Sequence, residues 1–559
     1  MKLARWRWGT RARWVTLLLG GGLLARATIA FWMYPGFDEA YYYLYTLYPD
    51  WSYFDHPPLV AILTAIGPWL TGIVSQFTLR LGTLVLHTGT LALLYATGVK
   101  LFSPQAGLLT LALATLMPFF PVAFGTFNLP DAPLMFFWTA TLYWAAAEFF
   151  RRTPAYQPSY RLSIICVMVG LACLGKYHGF VLGAGLVGFC LSHPRYRSAL
   201  ISPWMAIGAG LFLLTLSPLL IWNAQHDWVS FRFQSARTVP TRGFSIWGVL
   251  VTFLVEVAYL FPAFGFPLWW VSAKATIATL LPRSTPLSGK GDLPQKRSLI
   301  LWISLPLMVG FTLMGGYSQV LPSWPMPGLW GTTLLLGQQA ALWQKQSAGR
   351  IWRWLLGSGV AIVFLVSLAL TYVVSGVPFP QTSTYVLQSG LWTAQPPPST
   401  PPIVDLQRPQ ETLATIDYAL TEASSQLFDV QQLRQGFAQS PRLMAALQAS
   451  SFVFTNYYFV GGQVAMALVP LSGKPITCFD SDLRGFAFWS TPQQWLGQDA
   501  LYITSEYFQR PEDLRAKYGE YFASLERIGQ VPIRRGKAVV QVFEIYQAKK
   551  LLKPYPRPY

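Results

Sequence analysis

Apolar runs, most of them close to twenty residues long, recur along this chain and leave it few ways to fold. A helix rises about 1.5 Å per residue, so roughly 20 residues cross a hydrocarbon layer of about 30 Å, where a helix satisfies its own backbone hydrogen bonds. The runs fall near 15–34, 79–99, 104–124, 132–150, 162–175, 179–192, 198–221, 246–272, 298–315, 326–343 and 354–376, which predicts about eleven transmembrane helices. Composition agrees, since 53% of the 559 residues are hydrophobic and only 11% are charged, too greasy for a soluble domain. The first run, behind MKLARWRWGTRARW, is longer than the ~7 to 15 residue core of a signal peptide. No small-x-small cleavage pattern follows it, so it reads as a retained span.

The formal net charge is +18, a balance shared by nucleic-acid binders and by membrane proteins with basic loops. Placement decides between them. Basic residues lie before the first run (Lys2, Arg5, Arg7, Arg11, Arg13), after the fourth (Arg151, Arg152, Arg161) and after the sixth (Arg195, Arg197). They recur after the eighth (Lys274, Arg283, Lys290, Lys296, Arg297) and the tenth (Lys345, Arg350, Arg353). All fall on one side of an eleven-crossing chain, which the positive-inside rule makes cytoplasmic. The expectation is a multi-pass protein of the cytoplasmic (plasma) membrane, with its N-terminus inside, its C-terminal region outside and no nucleic-acid partner. The count turns on the two short runs flanking Lys176, because reading them as one span inverts everything downstream.

Residues 1–376 thus read as the membrane domain, with an outer loop at 35–78; 377–405 form a Pro-rich linker and 406–559 an extracytoplasmic domain. In that last part helical patterns (QETLATIDYALTEA, PRLMAALQ, PEDLRAKYGEYFASLERI) alternate with strand patterns (SFVFTNYY, KPITCFD, ALYITS, AVVQVFEIY). The fold class predicted is an α-helical polytopic membrane protein with a small C-terminal α/β domain. No glycine-rich phosphate loop marks it as a nucleotide binder. Cys166, Cys173, Cys190 and Cys478 show neither a disulfide framework nor zinc spacing and read as inert thiols.

Sorted by side, the unusual polar clusters fall outside. Loop 35–78 carries Asp38 and Glu39 just past the first span and Asp55-His56 before two prolines, within a run of tyrosines. A solvated loop end is the ordinary reading, and a lipid-facing site the functional one. The stretch PLVAILTAIGPWL that follows has the pattern of a helix lying in the interface. Asp131 in FNLPDAP has the position of a helix cap or of a site residue. Arg80, Lys176 with Tyr177 in LGKYHG, and Arg232 and Arg237 in WNAQHDWVSFRFQSAR, beside His226 and Asp227, put cations where the rule keeps them scarce. Snorkelling is the bland account of them, an anionic lipid headgroup the functional one. Trp324 in GGYSQVLPSWPMPG is an interfacial aromatic or a site wall. Arg26, inside the first span, is expected to pair with a carboxylate of the bundle or to reach the outer cavity. Carboxylates set against cations at a lipid surface suit a transferase: the former accept a proton from an acceptor hydroxyl, the latter stabilise a departing phosphate.

The segments DEAYYYLYTLYPDWSYFDHPPL, LPDAPLMFFW, LACLGKYHGFVL and SPLLIWNAQHDWVSFRFQ resemble the polytopic glycosyltransferases of the GT-C superfamily. The likeness is to the bacterial branch of the dolichyl-phosphate-mannose protein mannosyltransferases, related to the aminoarabinose transferase that modifies lipid A. It runs through roughly residues 15–345 and continues more faintly through FTNYYFVGGQVAMAL and GQDALYIT. The resemblance implies a polyprenyl-phosphate sugar as donor and transfer on the outer face of the membrane. It maps the catalytic acid to Asp38, with Glu39 beside it, the acceptor or a metal to Asp55 and His56, and the donor phosphate to Lys176. Ser323 stands where relatives carry a His before Trp324-Pro325, so no role for that His transfers. A lipid phosphate leaving group is neutralised by Lys and Arg, so no cofactor is required, although Asp55 and His56 are suitable ligand types for Zn2+ or Mg2+. Inverting single displacement with Asp38 as base is the preferred mechanism. The acceptor is left open among a glycolipid, a cell-wall polymer and a protein. Two other classes stay in view: a transporter or flippase of lipid-linked sugars, marked by internal repeats and ionisable groups in broken helices, and a structural or sensory protein.

Overall fold

A computed structural model describes residues 9–151, 155–240, 242–280, 292–376, 427–505 and 517–558. Its helices are α1 (Thr10–Trp32), α2 (Phe37–Leu47), α3 (Leu59–Thr71), α4 (Gln76–Leu101), α5 (Pro104–Leu116), α6 (Asp131–Phe149), α7 (Arg161–Gly175) and α8 (Gly179–Ser192). They continue as α9 (Pro203–Gln225), α10 (Val229–Ala236), α11 (Ile246–Tyr259), α12 (Pro262–Leu280), α13 (Leu293–Met314), α14 (Met326–Gln346) and α15 (Ala348–Ser375). Among the described residues α1, α4, α9, α13 and α15 are each long and apolar enough to cross a membrane, with a sixth crossing if the bent pair α11–α12 counts as one. Leu24, Ile201, Leu214 and Phe364 are exposed, the inverse of a soluble surface and the outward face that lipid would cover.

Three local features depart from the expected spans or decide between readings of them. The run 104–124 is α-helical only to Leu116; beyond Pro118 the chain makes a π-helical turn over Phe120–Phe124, because proline supplies no N–H and crowds the preceding turn. The run 246–272 is not one helix: α11 and α12 meet at 119°. Phe261 sits there at φ 69°, in the left-handed region that side chains rarely enter, and Pro262 donates no bond to carry α11 onward. Around Lys176, α7 and α8 form an antiparallel hairpin. A Cβ on Gly179 would lie 2.4 Å from the Cys173 nitrogen, and one on Gly183 would lie 3.1 Å from Val169, so residues four further along one helix face residues four further back on the other.

The chain divides into two compact units. The helical unit comprises Met1–Ile29, Trp51–Leu63 and Arg80–Leu365. Its core includes the fully buried Trp138, Trp222 and Trp330. It also buries ionisable groups inside the bundle, Arg26, His87 and Glu256, so its polar residues are not confined to one face. Arg26 does not meet the carboxylate expected of it: its Nη2 donates to Thr88 Oγ1 at 2.7 Å, and no ion pair among the described residues includes it.

The second unit comprises Ala30–Asp50, Thr64–Leu79 and Val366–Tyr559. It is built on a five-stranded sheet of order β2-β1-β3-β5-β4. The strands β1 (Phe452–Thr455), β2 (Ile476–Cys478) and β3 (Ala500–Ser505) run parallel, and β4 (Phe522–Arg535) and β5 (Ala538–Leu551) add an antiparallel hairpin. The four strand patterns read from sequence are β1, β2, β3 and β5, and PRLMAALQ lies in helix Pro441–Ala449. FASLERI, predicted as helix, is instead the start of β4. Cross-strand pairing of Phe522 with Leu551 and Leu525 with Ala548 overrides the helix propensity of Ala, Leu, Glu and Arg. The segment QETLATIDYALTEA and the Pro-rich linker lie outside the described residues. All four cysteines are free, and burial pushes the Cys478 thiol well above its usual range.

Candidate active site

The helical unit gathers several of the residues singled out from sequence. Lys176 follows α7, and its Nζ donates to both oxygens of Asp131, at 2.9 and 3.0 Å. Both residues are buried. Asp131 opens α6 but caps nothing; its carboxylate is committed to the ammonium of Lys176. A buried charge pair of this kind holds only because each partner answers the other's desolvation. The FNLPD turn is clasped from α4, where the fully buried Arg80 lies over the Phe127 ring at 4.9 Å and Thr83 Oγ1 donates to Asn128 Oδ1 at 3.3 Å.

Beside that pair, the loop bearing Asp55 and His56 is laid against α10. Ser230 Oγ donates to the Tyr53 carbonyl at 3.1 Å and Gln234 Nε2 to the Asp55 carbonyl at 2.7 Å, while Phe54 packs on Phe233 at 4.7 Å. Tyr177 and His178, in the α7–α8 turn, complete the cluster. Burial first, and the Asp55 charge after it, raise the Tyr177 phenol above its usual range. Ser230 and Asn223 lie beside that hydroxyl without reaching hydrogen-bond geometry, and Asn223 Oδ1 and His178 Nε2 are likewise buried without a partner. Burial lowers the His178 imidazole well below its usual range, and the nearby Lys176, His56 and Arg237 lower it further, so His178 is neutral. Arg237 lies over Phe233 and over Trp324, at 5.6 and 5.0 Å, and Trp324 touches Phe311, which in turn meets His178.

Not every candidate joins them. The Arg232 side chain and Asp227 are exposed. His226 stacks on Trp222 at 4.1 Å with Nδ1 2.7 Å from that residue's carbonyl, turned back on its own helix. Asp227 and Trp228 take positive φ, 52° and 56°, a strained turn between α9 and α10 that costs on the order of 1 kcal/mol or more per residue. Tyr53, Asn223, His178, Ser230 and Gln234 were not singled out from sequence. For Asn223, Ser230 and Gln234 the one signal in the sequence is that each is a polar residue inside the WNAQHDWVSFRFQ segment. Among the described residues no three His, Cys, Asp or Glu side chains gather as a metal site.

Asp38 and Glu39 belong to the second unit. They open α2, where Glu39 is buried and its Oε2 accepts from the Gly36 N–H at 3.1 Å, one half of a capping box. Asp38 is exposed. The tyrosines of α2 are packing residues. Tyr41 accepts from the Gly485 N–H at 2.9 Å, Tyr48 stacks on Trp489 at 5.1 Å, and Phe37 stacks on Phe459 at 4.4 Å.

Known proteins share parts of this architecture. Residues 55–222 match the Dolichyl-phosphate-mannose-protein mannosyltransferase family. A lipid A galacturonosyltransferase, RgtD, of Rhizobium johnstonii is 23% identical over 308 residues, 55% of this chain. The match spans 59% of that relative's length. The structure of ArnT from Cupriavidus metallidurans in the apo state superposes with a TM-score of 0.60 at 15% identity, covering 96% of this chain and 98% of that one. The same protein bound to undecaprenyl phosphate gives a TM-score of 0.58 over 95% and 98%. The chain therefore has the fold of ArnT, and over residues 55–222 it is similar to the dolichyl-phosphate-mannose-protein mannosyltransferase family.

Proposed function

We propose that the chain is a membrane glycosyltransferase that takes a sugar from a polyprenyl-phosphate donor and delivers it, on the outer face of the membrane, to a glycolipid of the lipid A type. The observation that carries this reading is the buried Asp131–Lys176 pair set beside Asp55, His56 and Arg237 in connections between apolar helices. Undecaprenyl phosphate as the ligand of ArnT and lipid A in the name of the Rhizobium relative support the donor and acceptor classes. In the reaction the acceptor hydroxyl oxygen attacks the anomeric carbon, the bond from that carbon to the phosphate oxygen breaks, and the configuration inverts. Asp38 takes the hydroxyl proton, and Lys176, Arg80 and Arg237 stabilise the charge on the departing lipid phosphate. Asp131 holds the Lys176 ammonium in place. Tyr177 and Asn223 offer buried, unsatisfied polar atoms that a sugar hydroxyl would pair.

The full chain in nanodiscs, given a panel of undecaprenyl-phosphate sugars and lipid A and read by mass spectrometry of the lipids, tests this. Transfer is expected, with a loss of at least about 100-fold in Asp38→Asn while the variant still inserts and folds. Full activity of that variant would sink the mechanism. The flippase reading gains from one observation, the buried Glu256 on α11 close to the 119° break. Translocation of the donor with no glycosidic bond formed across the whole panel would favour it over transfer.

A further inference from the structure

Arg26 and His87 form a second polar centre, inside the helical unit and apart from the residues of the proposed reaction. Both side chains are buried, each with 1% exposure. The Thr88 hydroxyl gives its hydrogen to the Leu84 carbonyl at 2.8 Å and so accepts from Arg26 Nη2 at 2.7 Å. Arg26 Nε and Nη1 have no partner, nor do Nδ1 and Nε2 of His87. The two side chains meet at Gly125, where a Cβ would fall 2.6 Å from His87 Cδ2 and 2.7 Å from Arg26 Cδ. Trp330 lies 5.9 Å from the imidazole, but its indole N–H is already donated to Thr139 Oγ1 at 2.9 Å.

The charge balance at this centre is incomplete. A guanidinium stays protonated in a protein, and an isolated charge in a low-dielectric interior is prohibitively unfavourable without an opposite charge. No carboxylate supplies one, since no ion pair among the described residues includes Arg26. What gathers here is donors: the guanidinium Nε and Nη1 and an imidazole N–H, none of them with a partner. We propose that this pocket, between α1, α4 and the π-helical turn that follows α5, binds a small monovalent anion, with chloride as its occupant. The near-complete burial of both side chains argues for a compact ion over a lipid phosphate, whose glycerol and acyl chains would need an opening.

The full chain in nanodiscs of zwitterionic lipid is unfolded thermally at constant ionic strength while sodium chloride replaces sodium gluconate. A saturable rise in the unfolding temperature is expected, reproduced by bromide. It should disappear in Arg26→Met and shift to at least about tenfold higher chloride in His87→Phe. Should Arg26→Met fail to fold, Arg26→Lys, which keeps the positive charge but withdraws the Nε and Nη1 donors, should weaken the chloride response. An unfolding temperature indifferent to chloride, or an equal response in every variant, overturns the proposal. Lipid phosphorus that stays with the delipidated wild-type protein and is lost from Arg26→Met would replace chloride by a lipid phosphate and overturn it as well.

Discussion

The ion pair between Asp131 and Lys176 is structural and, in the proposed reaction, catalytic as well, and the two roles separate experimentally. Removing one partner leaves the other charge buried and uncompensated, a penalty of about 3–5 kcal/mol. Asp131→Asn and Lys176→Met are therefore each expected to lower the unfolding temperature markedly, and the double variant to recover most of that loss, because it removes both charges. Sugar transfer should stay lost in the double variant if Lys176 also receives the donor phosphate. A double variant regaining both stability and transfer would reduce the pair to a packing device. Sequence pointed to each of these residues, and the resemblance assigned Lys176 to the phosphate. It did not pair them, since they are 45 positions apart and local rules gave Asp131 the job of a cap. Tyr177 was singled out with them, whereas His178 became visible only once the α7–α8 turn had been set against Arg237 and His56. The reason is that burial and neighbouring charge, which fix the state of His178, are properties of folded surroundings and leave no trace in residue order.

At the scale of elements, α2 is the instructive case. Its tyrosines read from sequence as companions of a lipid-facing acidic site, yet they pack on aromatic and glycine residues of the C-terminal region. The closest approach is at Gly462 in helix Tyr458–Ser472, where a Cβ would lie 2.5 Å from the Tyr41 nitrogen and 2.6 Å from the Ala40 carbonyl carbon. Backbone does not step aside as a side chain does, so Gly462→Ala should destabilise the fold by about 1–3 kcal/mol, an overpacking penalty. Gly210, in the middle of α9, is the matched control, because a Cβ there would meet nothing within 4 Å. Gly210→Ala should leave stability unchanged or raised, since alanine favours a helix over glycine by about 1 kcal/mol. Equal unfolding temperatures for the two variants would show that α2 and helix Tyr458–Ser472 do not bear on each other as described. The β4 strand carries a related lesson. Helix propensity in FASLERI is a local preference, and pairing with β5 is a non-local one that no window of sequence contains. Apolar strands such as ALYITS were legible because their burial and their propensity agree.

For the whole molecule, the step on which topology turns has moved. The hairpin at Lys176 reverses direction, as the facing of Gly179 with Cys173 and of Gly183 with Val169 requires, so the chain leaves that hairpin on the side from which it entered. Its 15- and 14-residue helices therefore do not affect the side on which later loops lie. That decision passes to α11 and α12, bent by 119°. With 19 residues, roughly 28 Å of helix, α12 has the length to cross alone, and the 14-residue α11 would then lie along the interface. By the positive-inside rule the basic residues after α12 are expected in the cytoplasm, and the C-terminal unit is then expected outside. Cysteine labelling tests this, because the native Cys478 is buried and the three others lie in apolar helices. Ser198→Cys, in the exposed turn after α8, should be shielded from a membrane-impermeant maleimide in intact cells, and Glu520→Cys, at a side chain 78% exposed, should react. If α11 and α12 instead dip in and return, both positions fall on the same side, and the two variants will label alike.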